Sequence, residues 1–260
     1  MPTITQHAPG TFCWPELATT DPVAAKKFYS ALFNWDGFDV PMGDEGAYSL
    51  MRVGGQDAGA IYGITREMRQ HGVPPSWMAY VAVASADQAA EKTRALGGEV
   101  VKPPFDVWDL GRMAVLKDPT GAVFSVWEAK KHIGVQVLGE PGSLGWTQLN
   151  TEDPKKAAAF YTALFGWKAD TSPMPDGSGD YTTFMNGSTP AGGAMTKPAG
   201  GGPAHWLTYF VAADVDAVVA RTQKEGGKVM VPGTDIQGMG RFAVVQDPQG
   251  AYFAVVRFIS

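Results

Sequence analysis

Few side chains in this chain of 260 residues suit bond-making chemistry: it has four histidines and a single cysteine. Glu16 stands two residues after Trp14, and on an extended strand that spacing puts both on one face. Gln148 stands two residues after Trp146 in a stretch that reads the same way. His205 opens another stretch and Tyr209 follows it. Tyr80 holds the matching place in an earlier one. A carboxylate, an amide and an imidazole brought together could hold a divalent ion or move a proton. Without an ion, the same faces form a slot of indole and phenol rings with few polar groups. Such a slot suits a planar or amphipathic small molecule, or a cation near Glu16. Trp14 and Trp146 could equally plug a barrel as core. His7, His71 and His132 fall in tail, loop and linker, where histidine is usually a hydrogen-bonded rim or surface group. Cys13 alternates with Trp14 and is expected in packing. One cysteine forms no internal disulfide and no multi-cysteine zinc site. No Ser/His/Asp arrangement, phosphate loop or dinucleotide fingerprint occurs in its required context.

These residues need strands and helices to hold them, and the chain supplies each element twice. "DPVAAKKFYSALFNW" from Asp21 returns as "DPKKAAAFYTALFGW" from Asp153, 132 positions later. "GTFCWPELATTDP" answers "GSLGWTQLNTEDP". "LGRMAVLKDPTGAVFSV" answers "MGRFAVVQDPQGAYFAV". Order and spacing are kept, which predicts two homologous domains, 10–130 and 142–260, joined by a linker at 131–141. The period is too long for a solenoid unit. Asp-Pro is a helix start, with Asp as cap and Pro in the first turn. Ala25, Phe28, Tyr29, Leu32 and Phe33 then share one helical face. "DPTG" predicts a turn between two strands. Each domain reads as two strand–helix–three-strand units.

Alternation assigns the faces. Leu17 and Leu149 should pack under the helices. Phe12, Trp14 and Glu16, and likewise Leu144, Trp146 and Gln148, should face a cavity. Phe124 and Val126 read as core, which leaves Ser125 and Trp127 toward the pocket. In the copy, Ala254 and Val256 take those places. Arg112 and Arg241 recur within one motif and are expected to pair with a nearby acid. The net charge is −5 with no basic run, so nucleic acid is not an expected partner. No apolar run approaches the roughly 18 residues a membrane helix needs. The opening "MPTITQHAPG" does not read as a secretory signal. A cytoplasmic protein, monomeric or homodimeric, with a small-molecule partner is expected.

The "D-x-x-x-A-x-x-F-Y-x-x-L-F-x-W" helix, the "W-x-x-Y" strand and the "G-R-x-A-V-x-x-D-P-x-G-A-x-F" hairpin together resemble the vicinal oxygen chelate superfamily. Glyoxalase I, bleomycin- and fosfomycin-resistance proteins and extradiol dioxygenases belong to it. The match resembles the two-domain actinobacterial members labelled hydroxylases or culture-filtrate antigens. The resemblance implies an α+β fold in which paired βαβββ units curl into half-open barrels. It also implies a divalent metal held by His, Glu or Gln on cavity strands. At the implied ligand positions stand Trp14 and Trp146, Ser76–Met78 and His205–Leu207, Ser125 and Ala254, and the stretches 60–62 and 194–196. No metal cofactor is therefore expected. The leading reading is a binding protein whose pockets use Trp14, Glu16, Tyr80, Ser125, Trp127, Trp146, Gln148, His205 and Tyr209. The alternative is a lyase, isomerase or oxygenase with a divalent metal rebuilt around Glu16, Gln148 and His205.

Overall fold

The computed structural model describes residues 3–259. The first half runs β1 (Phe12–Thr19), α1 (Pro22–Phe33), β2 (Asp36–Pro41), β3 (Ala47–Val53), β4 (Gln56–Gly63), a short α2 (Arg66–Gln70), β5 (Ser76–Ala82), α3 (Ala86–Ala95), β6 (Glu99–Val107), β7 (Gly111–Lys117) and β8 (Val123–Ala129). The second half repeats it. Its elements are β9 (Leu144–Thr151), α4 (Pro154–Phe165), β10 (Lys168–Pro173), β11 (Asp180–Asn186), β12 (Thr189–Thr196), β13 (His205–Val211), α5 (Val215–Lys224), β14 (Lys228–Ile236), β15 (Gly240–Gln246) and β16 (Tyr252–Phe258). Each half builds one eight-stranded mixed sheet, in the orders β2-β3-β4-β1-β5-β8-β7-β6 and β10-β11-β12-β9-β13-β16-β15-β14. Neither sheet closes, so each is a half-open barrel made of two βαβββ units. No helix among the described residues is long and apolar enough to cross a membrane.

The capping chemistry works as the Asp-Pro pairs imply. Asp21 Oδ1 accepts from the Ala24 amide and Asp153 Oδ1 from the Lys156 amide, each at 2.9 Å, which satisfies an otherwise orphan first-turn donor. Both helices end on a left-handed residue, Asn34 or Gly166.

The helical faces pack on their own half and on the other half at once. One core cluster joins Leu17, Phe28, Tyr29 and Phe33 to Phe210, Val245, Phe253 and Val255 of the second half. The other joins Val81, Leu116, Phe124 and Val126 to Leu149, Phe160, Tyr161 and Leu164. The sheets therefore meet back to back, β5 against β13 and β16, with the helices packed across the join.

Polar bonds follow the same crossing. The Tyr29 hydroxyl donates to Asp247 Oδ2 at 2.9 Å and accepts from Trp77 Nε1 at 3.0 Å. Reciprocally, the Tyr161 hydroxyl donates to Asp118 Oδ2 at 2.9 Å and accepts from Trp206 Nε1 at 2.8 Å. The other oxygen of each aspartate takes its own turn's amides, Thr120 and Ala122 or Gln249 and Ala251. Trp35 Nε1 donates to the Gly142 carbonyl and Trp167 Nε1 to the Gly10 carbonyl. The repeated motif residues are thus the joint between the halves.

Three face assignments from simple alternation are wrong. Phe12 packs on the helix side, 5.0 Å from the Trp206 ring, while Cys13 lies with Trp14 on the concave side. A register shift between Phe12 and Trp14 in the β1–β5 ladder reverses the order there, as one extra residue in a strand does. A shift between Tyr209 and Phe210 does the same at Leu144, which belongs to the helix-side core.

Candidate functional site

The concave face of the first sheet carries one carboxylate and a ring of aromatic groups. Trp14 and Glu16 project from β1, paired with Tyr80 and Met78 of β5, and Glu16 lies beside Ala60 of β4. Glu16 Oε1 accepts from the Tyr80 hydroxyl at 2.5 Å and Oε2 from the Tyr48 hydroxyl at 2.9 Å. Tyr48 in turn accepts from Trp14 Nε1 at 2.9 Å. Tyr62 stacks on Tyr48, with ring centroids 5.8 Å apart, and turns its hydroxyl to Met68 Sδ. Half-buried Leu50, Met78, Val107, Leu110 and Met113 form apolar walls. Gly111 is required at its place because a Cβ there would overlap the Trp127 indole.

Residues 132–135 run along one end of this face. The Val135 amide donates to the Cys13 carbonyl at 2.8 Å. Trp127 Nε1 donates to the His132 carbonyl at 2.8 Å, and the His132 ring stands edge-on to Trp14 with centroids 4.7 Å apart. Burial holds the His132 imidazole below its ordinary pKa, against the opposing charge of Asp57.

The second concave face keeps the frame and changes the chemistry. Tyr181 replaces Tyr48 and accepts from Trp146 Nε1 at 2.8 Å. Gln148 replaces Glu16: its Oε1 accepts from the Tyr209 hydroxyl at 3.2 Å and its Nε2 donates to Asn150 Oδ1 at 3.0 Å. Asn150 Nδ2 meets His205 Nε2 at 3.3 Å. Met195 stands where Tyr62 does, and Ala254 and Val256 replace Ser125 and Trp127.

The structure thus gathers Trp14, Glu16, Tyr80, Ser125 and Trp127 on one face. It gathers Trp146, Gln148, His205 and Tyr209 on the other, with His205 at the rim. Arg112 and Arg241 lie away from both faces. They pair with Asp87 and Asp106, and with Asp216 and Asp235. Each Glu16 oxygen already accepts one phenol hydrogen bond, which a cation at that carboxylate would have to share. Sequence reasoning missed Tyr48, Tyr62, Tyr181, Asn150 and His132 as site residues. Alternation in "YSLMRVGG" and "DAGAIYGIT" was the available signal for the first two. The parallel β1–β4 pairing that brings them to Glu16 is not local.

The donor set does not fit a resident divalent ion. The positions implied for ligands hold Trp14, Trp146, Ser125 and Ala254. The single carboxylate is bonded to phenols. No group of three or more His, Cys, Asp or Glu converges among the described residues. Divalent ions of this kind need several imidazole, thiolate or carboxylate donors together.

Burial pushes the Glu16 carboxyl above its ordinary pKa, against the lowering effect of the hydrogen bonds from Tyr80 and Tyr48. A raised folded-state value means that folding takes up a proton between the unfolded and folded pKa. The stability contribution is therefore greatest below the ordinary carboxylate range and falls as pH rises through the raised value. Glu16→Gln is expected to flatten that fall in urea-unfolding midpoints followed from about pH 4 to about pH 8. Asp247 shares the sign but is present in both proteins. Parallel profiles for the two proteins would sink the assignment.

A family model described as Glyoxalase/Bleomycin resistance protein/Dioxygenase superfamily matches residues 11–126 and again 143–255. "Putative glyoxylase CFP32" of Mycobacterium bovis is 40% identical over 258 residues, 99% of this chain and 98% of that protein. "Anthracycline biosynthesis protein DauV" of Streptomyces sp. strain C5 is 35% identical over 266 residues, covering 97% of this chain and 95% of that one. A Mn(II)-bound glyoxalase from Novosphingobium aromaticivorans superposes with a TM-score of 0.67 at 14% identity, over 95% of this chain and 82% of that one. The 2,3-dioxygenase LapB from Pseudomonas sp. KL28 gives 0.65 at 13% identity, over 95% and 91%. At these identities the two structures speak to the fold alone.

Proposed function

The chain belongs to the glyoxalase/bleomycin resistance/dioxygenase superfamily, and from that premise we propose that it is a small-molecule-binding member whose aromatic clefts have replaced the family metal centre. One observation carries the reading. Where a metal would sit, Trp14, Tyr48, Glu16 and Tyr80 form a continuous hydrogen-bonded chain. Such a network engages both carboxylate oxygens and leaves ring faces and apolar walls for a ligand. Rings at a cleft wall recognise planar compounds by stacking and edge contacts. The relative named for anthracycline biosynthesis supports a polycyclic aromatic as the ligand class.

Elemental analysis of gently purified protein is expected to find substoichiometric Zn, Ni, Mn and Fe. Titration with a planar aromatic such as 2-ethylnaphthalene is expected to saturate. One tightly held ion per half, or chelator-sensitive lyase activity on a hemithioacetal, would instead establish the metal-dependent lyase, isomerase or oxygenase.

A further inference from the structure

Glu16 and Gln148 occupy one place in two copies of the same frame, and they differ by a single atom: a carboxylate oxygen has become an amide nitrogen. In the first cleft the Tyr48 hydroxyl accepts from Trp14 and donates to Glu16 Oε2. In the second, the Tyr181 hydroxyl accepts from Trp146. Its own proton has no acceptor among the described residues. Gln148 Nε2 is a donor and turns to Asn150, while Gln148 Oε1 is taken by Tyr209. Tyr181 is half-buried, so its unspent proton is open to whatever occupies the cleft, and a ligand acceptor there would replace water as its partner.

The backbone opposite makes room for that phenol. Gly193 pairs with Gln148 as Ala60 pairs with Glu16. A Cβ at Gly193 would overlap the Tyr181 hydroxyl. The rest of the wall is Phe242, ring to ring with Tyr209 at 6.4 Å, and the row Gln148, Asn150, His205 leading to the rim. This row offers amides and an imidazole, with no carboxylate, lysine or arginine to balance a charged ligand.

We infer that the second cleft takes an uncharged aromatic compound through a carbonyl oxygen, which accepts the Tyr181 proton. The inference rests on the proposed reading of the clefts as sites for planar small molecules. It also separates the two clefts: the first has no free phenol proton at this position, and the second presents one.

The test uses two probes of nearly equal shape, 2-acetylnaphthalene and 2-ethylnaphthalene, titrated into the intact protein. The acetyl compound is expected to bind about five- to tenfold tighter at one site, the range of one net hydrogen bond. Its carbonyl stretch should move to lower wavenumber on binding. Tyr181→Phe should erase both the preference and the infrared shift while the ethyl compound binds as before. Gln148→Glu should also erase them, because it hands the Tyr181 proton the acceptor that Glu16 gives Tyr48. Equal affinities in the unaltered protein would overturn this inference and leave the aromatic-cleft reading standing. So would a preference that survives Tyr181→Phe. Binding of neither compound would overturn both.

Discussion

Phe28→Ala is expected to lower the stability of the whole chain by about 3–5 kcal/mol, as loss of a buried aromatic ring does, and to do so in one transition. The reason is the position of the ring. Phe28 is on a first-half helix, but it meets Phe253 at 6.3 Å and lies in a cluster supplied by both halves. It also stands over Gly227, where a Cβ would come within 3.2 Å of it. The cavity left behind is therefore shared, and neither half can relax alone. Urea unfolding followed by a probe in each half, for example distinct tryptophan-depleted variants, should give coincident midpoints that move together. A shift confined to the first half's probe would show independent domains and sink the expectation.

The second large effect concerns separation. A fragment covering residues 1–139 is expected to be unfolded as a monomer, or to recover structure only as a dimer. Alone it would expose Leu17, Phe28, Tyr29, Phe33, Val81, Phe124 and Val126. All seven are at most 7% exposed in the intact chain. It would also strand Asp118 Oδ2 and the Tyr29 hydroxyl without their opposite-half partners. Each apolar side chain of this size contributes roughly 1.5–3 kcal/mol by burial, against a net stability of about 5–15 kcal/mol for an ordinary domain. A second copy could restore every partner, because the FY helix and DP turn needed on each side are both in the fragment. Sedimentation and far-ultraviolet circular dichroism of the fragment decide it. A folded monomer would be the contrary result.

Much of this fold can be read from the sequence, because its signals are local. Asp21-Pro22 and Asp153-Pro154 cap helices, Asp118 and Asp247 make turns, and Phe28, Tyr29, Leu32 and Phe33 share a stripe. What the stripe packs against is not local. Tyr29 and Asp247 are 218 positions apart, and nothing near either one names the other. The pocket strands show the same division. Alternation places Trp14, Glu16, Ser125 and Trp127 together. It fails at Phe12 and Leu144, where a register shift flips the side, and it is silent on Tyr48 and Tyr62. His132 was hidden by its address: a linker is expected to connect, while this stretch also sets a ring against Trp14 and a carbonyl on Trp127.

The crossed bonds at the back of the molecule bear on how such a chain can change. In an assembly of two identical chains, any substitution appears at both places at once, so a change that helps one cleft is imposed on its twin. Joining the copies in one polypeptide removes that coupling at the front and keeps it at the back. Tyr29 cannot drift without Asp247, nor Tyr161 without Asp118, whereas Glu16 and Gln148 are at liberty to part. Surveys of natural variants should accordingly find the Tyr–Asp pairs of the joint changing in concert across the halves. The cleft positions should wander separately, so that each new ligand need be accommodated only once.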